Sequence, residues 1–185
     1  FNRDEETSAL LPAMASSPEL KTDGKSASIV NGKIRCELMV TGKIKFYNQK
    51  GELLLEEFDR NRFRENVEGE FNSALEISPR TFTPIMGTEN FKLAVRFEPN
   101  DGEKIYGMQP YMDMKGCVVE LAHRNSQASI PFALSNKGYG MLWNNPAIGS
   151  VTFGKNLTEW TALSTRQMDY WITVGDTPAE IEEAY

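Results

Sequence analysis

YGMQPYMDMKG (106–116), ELAHRNSQASIPFALSNKGYGMLWNNPAIGSVTFG (120–154) and DYWITVGDTPAEIEEAY (169–185) are the stretches that decide the fold. They join short apolar runs to turn residues and polar clusters. Lys104–Tyr106, Ser129–Leu134, Tyr139–Trp143, Val151–Phe153, Trp160–Leu163 and Met168–Val174 each have the length and content of a strand. Gly138, Gly140, Gly149 and Gly154 punctuate their edges. One convincing helix closes the set. Asp176-Thr177-Pro178-Ala179-Glu180 supplies a cap, an early proline and an acid in the first turn. Ile181, Ala184 and Tyr185 share one face of it. So short a helix is marginal alone and needs a surface to pack on, in the sandwich or in further protein.

Working back toward the start, the same grammar repeats. Ile34, Cys36, Leu38 and Val40 alternate with Lys33, Arg35 and Glu37, which is the period of a half-buried strand. Thr41-Gly42 turns the chain, Lys43–Tyr47 resumes it, Asn48-Gln49-Lys50-Gly51 turns it again, and Glu52–Glu57 follows. Phe91, Leu93, Val95 and Phe97 alternate with Lys92, Ala94, Arg96 and Glu98, and Pro99-Asn100-Asp101-Gly102 ends that run in a turn. Residues 1–25 are polar and aperiodic, and read as an arm or linker that Leu10, Leu11 and Met14 dock loosely. The expectation is an all-β chain: an antiparallel β-sandwich over 26–175, preceded by an arm over 1–25 and followed by a short C-terminal helix over 176–185.

Composition narrows the function classes. At 185 residues, 40% apolar and 25% charged, the chain can bury one real core. No apolar run approaches the roughly 20 residues of a membrane helix. A net charge of -6 gives no basic footprint for nucleic acid. Cys36 and Cys117 each sit in an apolar run and read as reduced core residues. With no visible signal segment, the expected location is the cytoplasm. Phe1 in place of Met leaves an upstream segment open.

The chemistry is sparse. His123 is the one histidine, so a metal site of imidazole and thiolate ligands is not expected, and no cofactor is. A catalytic triad would have to use His123, which reads more simply as a loop residue. Asp113, Glu120, Glu159 and Asp169 are the carboxylates in plausible places for glycosidic cleavage, but no spacing singles out a pair. A polar-aromatic cluster is more suggestive: Tyr106, Tyr111, His123, Arg124, Asn125, Ser126, Gln127, Trp143, Asn144 and Asn145. Rings cover the C–H faces of sugars and amides bind their hydroxyls. Tyr139 and Trp143 alternate with Met141, so those rings are equally readable as core.

Tyr106-Gly107, Arg124-Asn125, Ser129–Leu134, Gly138-Tyr139-Gly140 with Trp143-Asn144-Asn145-Pro146, and Gly175-Asp176-Thr177-Pro178 together resemble the N-terminal β-domain of glycoside hydrolase family 31. That family includes α-glucosidases and α-xylosidases. The resemblance is sharp over about 104–185 and fainter over 26–98. It implies a sandwich of the galactose-mutarotase-like (supersandwich) type. It implies that the helix at 176–185 leads to a catalytic (β/α)8 barrel carrying the two aspartates of a retaining mechanism, so no catalytic residue is expected here. The implied contribution is a loop over the barrel mouth. His123, Arg124 and Asn125 are the expected substrate-binding residues, with Asn125 where many relatives carry an aspartate. Gln109-Pro110 also departs from the family's usual Tyr-Gly-x-Gly-Glu signature.

The expected function is thus a non-catalytic domain of a retaining α-glycosidase, inactive alone. Its partners would be the parent's barrel and an α-linked glycoside, with no nucleic acid and no membrane. The alternative is a free-standing carbohydrate-binding module, which would need a solvent-facing aromatic platform. An aldose epimerase on the same fold type would need two histidines and a glutamate, and one histidine argues against it.

Overall fold

The computed structural model describes residues 16–58, 79–108, 112–125 and 128–185. Leu10, Leu11 and Met14 of the expected arm lie outside the described residues, as do Gln109, Pro110, Tyr111, Ser126 and Gln127.

The described residues form three antiparallel sheets and one helix. The first sheet is a meander of β1 (Glu19–Thr22), β2 (Ala27–Asn31), β3 (Ile34–Leu38), β4 (Ile44–Tyr47) and β5 (Leu53–Glu56), in that spatial order. The alternation expected for β3 and β4 is its cause. Ile34, Cys36, Ile44 and Phe46 face the core. Arg35, Glu37, Lys45 and Tyr47 take the opposite parity. There Arg35 pairs with Glu37 and lies 4.2 Å over the Tyr47 ring, and Lys45 meets Glu56 at 3.2 Å. β1, inside the segment read as an arm, pairs with β2 as an exposed edge.

The second sheet orders β6 (Arg80–Pro84), β7 (Phe91–Phe97), β13 (Thr158–Thr165), β12 (Gly149–Phe153) and β9 (Val118–Leu121). The third orders β14 (Tyr170–Val174), β11 (Tyr139–Trp143), β10 (Phe132–Ser135) and β8 (Ile105–Tyr106). The first and second sheets are stitched where Glu57 bridges Phe97 and Phe58 N–H donates to Arg96 O at 2.9 Å.

One apolar cluster draws on all three sheets. It holds Phe46 and Leu55, then Val95, Phe97, Val151, Phe153 and Trp160, then Tyr139, Met141 and Trp143. Tyr170 shows the convergence: its ring meets Phe46 at 6.4 Å and Phe97 at 5.7 Å, both edge-on. Trp160 likewise meets Trp143 at 6.3 Å and Phe153 at 5.7 Å.

A second cluster of Phe132, Leu142 and Ile181 lies on the other parity of β10 and β11. Ile181 belongs to α1 (Pro178–Glu183), which Thr177 caps by accepting the Glu180 N–H. All five residues of β11 are buried, odd positions by the main core and even positions beneath α1. Gly140 is required there. A Cβ would lie 2.5 Å from the Phe132 ring and 2.7 Å from the Ile181 side chain. The helix therefore packs back on the sandwich, as one of its two expected alternatives.

Candidate functional site

The loop after β9 carries the expected substrate-binding residues, and the structure brings His123, Arg124 and Asn125 together on the surface. β9 is an edge strand, held by pairing Leu121 with Gly149 and Glu120 with Ser150. Gly149 permits the close approach of β12 to β13, since a Cβ would fall 1.8 Å from the Thr161 carbonyl oxygen.

Past Leu121 the chain leaves the sheet. His123 Nδ1 accepts the Ser129 N–H at 3.2 Å, which closes the loop and puts the ring proton on Nε2. Arg124 donates back to Glu120 at 2.5 Å, with both side chains more than half exposed. Such a pair orders the guanidinium and adds little stability. Asn125 adopts φ 50°, the one positive φ among described non-glycine residues. Asparagine tolerates this region better than most residues. The loop thus presents an imidazole N–H, a guanidinium and an amide to solvent, all hydrogen-bonding groups suited to hydroxyls.

The rest of the polar-aromatic cluster divides. Trp143 and Tyr139 are 1% and 5% exposed and belong to the core. Asn144 donates to Asp169 at 2.9 Å, and Asn145 donates to Thr165 Oγ1 at 3.2 Å, so both brace the β11–β12 connection. The candidate carboxylates are also in local use. Asp113 accepts the Ile105 and Lys115 N–H groups at 3.0 Å each, and those bonds, Lys115's first, hold its carboxyl below the usual range. Glu159 pairs with Arg96 at 2.5 Å and Glu120 with Arg124.

Two further carboxylates, Glu57 and Glu103, are buried. Glu57 takes the inward parity of Leu55, is fully buried, and meets Arg80 at 2.8 Å and the Ile44 N–H at 2.9 Å. Glu103 accepts from the Tyr139 hydroxyl at 2.6 Å and the Ser135 hydroxyl at 2.8 Å, with Lys115 at 3.0 Å. Burial first, and Glu103 next, push the Tyr139 hydroxyl well above its ordinary range.

A polar cleft of about 280 Å3 lies elsewhere, lined by Lys33, Asn48, Lys50, Asn136, Lys137 and Asp176 among others. Lys33 is committed there to Asp176 at 3.2 Å and Glu180 at 2.5 Å. Cys36 and Cys117 are unpaired and half-buried. Among the described residues no group of three His, Cys, Asp or Glu side chains is placed to hold a metal ion, and no helix is long and apolar enough to cross a membrane.

No protein-family model matches the chain. Curated relatives do. An uncharacterized family 31 glucosidase of Pseudescherichia vulneris is 47% identical over 187 residues, covering 96% of this chain and 35% of that protein. The chain is homologous to the N-terminal β-domain of glycoside hydrolase family 31. The crystal structure of a family 31 α-xylosidase from a soil metagenome, complexed with xylose, superposes with a TM-score of 0.85 at 48% identity, over 97% of this chain and 28% of that one. Alpha-xylosidase A of Aspergillus niger is 38% identical over 101 residues, 52% of this chain and 14% of its own length. The chain therefore spans about a third of the first relative's length and less of the other two.

Proposed function

We propose that this chain is the non-catalytic N-terminal domain of a retaining α-glycosidase, and that its 122–130 loop contributes to the sugar pocket of a catalytic barrel in the same parent protein. The observation that carries the reading is the pair of matches at 47% and 48% identity, each spanning almost all of this chain and about a third of a family 31 protein. Several of the relatives are named α-xylosidases, which favours an α-xyloside over an α-glucoside as the parent's substrate.

In this reading Asn125 and His123 Nε2–H meet sugar hydroxyls, and Arg124, steadied by Glu120, borders the pocket. Asn125 holds a left-handed turn, and the bond from the Ser129 N–H to His123 anchors the base of the loop. Asn125 carries no charge, so its contribution is a hydrogen bond rather than an ionic contact. The two catalytic carboxylates belong to the barrel, the domain alone is inactive, and neither nucleic acid nor a membrane is a partner. A cytoplasmic location completes the reading.

A free-standing sugar-binding module is not favoured, because Trp143 and Tyr139, the rings it would use as a platform, are buried. The test is an assay of this chain and of a parent extended past Tyr185 on p-nitrophenyl α-xyloside and α-glucoside. Activity in the extended protein alone supports the supporting-domain reading. Activity in the 185-residue chain would mean that a catalytic carboxylate pair lies within the sandwich.

A further inference from the structure

We infer that the polar cleft between the β4–β5 turn and the β10–β11 turn is a binding site for a single uncharged sugar residue, held by hydrogen bonds alone. The cleft lies at the far end of β10 from the His123–Asn125 loop, and the inference does not depend on the functional reading above. Its lining comes from four places in the chain: Lys33, the turn 48–52, the turn 136–138 and the strand end 174–176.

The walls are set before any ligand arrives. Asn48 Oδ1 accepts the Lys50 and Glu52 N–H groups at 3.0 and 2.9 Å, and its amide donates to Glu52 at 2.6 Å. Across the cleft, Asn136 Oδ1 accepts the Lys104 N–H at 2.8 Å, and the Gly175 N–H donates to Gly138 O at 3.2 Å. Gly138 holds φ 90° there, and a Cβ on it would sit 3.2 Å from Gly175 O. Lys33 joins the strand end to the first sheet through Asp176 and Glu180. Turns fixed in this way lose little freedom on binding.

Charge and free groups choose the ligand. Lys33, Lys50 and Lys137 are offset by Glu52, Asp176 and Lys33's partner Glu180, so cationic and anionic groups balance. A phosphate calls for unopposed cations, and a hard metal ion calls for clustered carboxylates, which are not found among the described residues. A hydroxyl both donates and accepts, so it matches a mixed lining. The Gln49 amide and the Lys137 ammonium line the cleft with no partner among the described residues. The amide offers donor and acceptor, the ammonium three donors. At about 280 Å3 the cleft is near the roughly 300 Å3 lower bound of small-molecule sites, which suits one sugar ring and not a chain. No aromatic side chain lines it, so nothing stacks on the sugar and the affinity is weak, in the millimolar range.

Amide NMR shifts of the isotope-labelled 185-residue chain test the site, with xylose, glucose, glycerol and inorganic phosphate as separate probes. The expected result is a saturable response to xylose or glucose at Gln49, Lys50, Lys137 and Gly175, with glycerol and phosphate much weaker. Gln49→Ala and Lys137→Ala remove side chains on exposed turns, so both should keep the thermal midpoint and each should weaken sugar binding roughly threefold or more. No saturable response to either sugar overturns the proposal, as does sugar binding that neither variant weakens. A response to phosphate but not to sugar would make the cleft an anion site, and an equal response to glycerol would make it a general polyol surface; either overturns it too. So do sugar shifts confined to residues 122–125. Inactivity of the extended parent on both α-glycosides would sink the functional reading alone and leave the titration to decide the cleft.

Discussion

Glu103 and Asn125 are both polar residues placed between strands, and the fold treats them in opposite ways. Glu103 is 6% exposed and gathers the hydroxyls of Tyr139 and Ser135 and the ammonium of Lys115. Asn125 is exposed, on a left-handed turn, beside an arginine that pairs with a surface glutamate. Donors and acceptors that satisfy one another in the interior define the fold. Donors held facing water by a constrained turn are the ones left for a ligand. The residues that invite a functional reading in the sequence fall on both sides of that division.

The comparison can be broken most forcefully from its interior side. Trp160→Ala removes a ring packed between Trp143 and Phe153 and is expected to cost about 3–5 kcal/mol in chemical unfolding. A loss near zero would mean that the three sheets do not share one core. Glu103→Ala strands two buried hydroxyls and a lysine, and about 2–3 kcal/mol is expected. The same cluster predicts an alkaline limit. The Tyr139 hydroxyl is held well above its ordinary value, so once unfolded tyrosines ionise near pH 10 the native state binds more protons. Stability therefore falls as pH rises beyond that point, and urea midpoints measured across the range will show it.

On the exposed side the expected pattern is reversed. Asn125→Gly keeps the backbone at ease and deletes the amide. The short chain should keep its thermal midpoint, while the parent loses about 1–3 kcal/mol of transition-state binding, roughly 5- to 150-fold in kcat/KM. An unchanged kcat/KM would remove Asn125 from the pocket. The smallest effect concerns the tether of α1. Lys33 foremost, then the Asp176 N–H, lower the Glu180 carboxyl below its usual range. A depressed carboxyl stabilises above its unfolded value and loses that stabilisation as pH falls through its folded one. Acid, or high salt at neutral pH, should thus lower the hydrogen-exchange protection of the Ala184 amide, which donates to Glu180 O, relative to its intrinsic rate under the same conditions.

Strands with period-two alternation and flanking turns were legible: β3, β4, β5, β7, β11 and β14 stand near where the pattern puts them. β1 and β6 were not, for a physical reason. ELKT and RTFTP are edge strands, paired on one side, and need no apolar alternation to stay in register. The loop residues 123–125 were legible as a cluster because they are contiguous. The burial of the even positions of β11, Gly140 and Leu142, was not, because it depends on α1 folding back from some forty residues away to close the second face of the strand. Nothing local to Gly138–Trp143 announces that contact, although Gly140, pressed between Phe132 and Ile181, is its residue-level trace.

Among the described residues the first sheet ends on β1, four residues paired on one side. An open edge invites the strand of another molecule, and the hazard grows with its length and flatness. Here the edge is short and carries Glu19 and Lys21, while Leu20, 67% exposed, points to the other side. The colloidal behaviour of the whole protein at high concentration thus hangs on two surface charges far from any sugar. A preparation in which both are neutralised would cloud on standing before it lost any of its native fold.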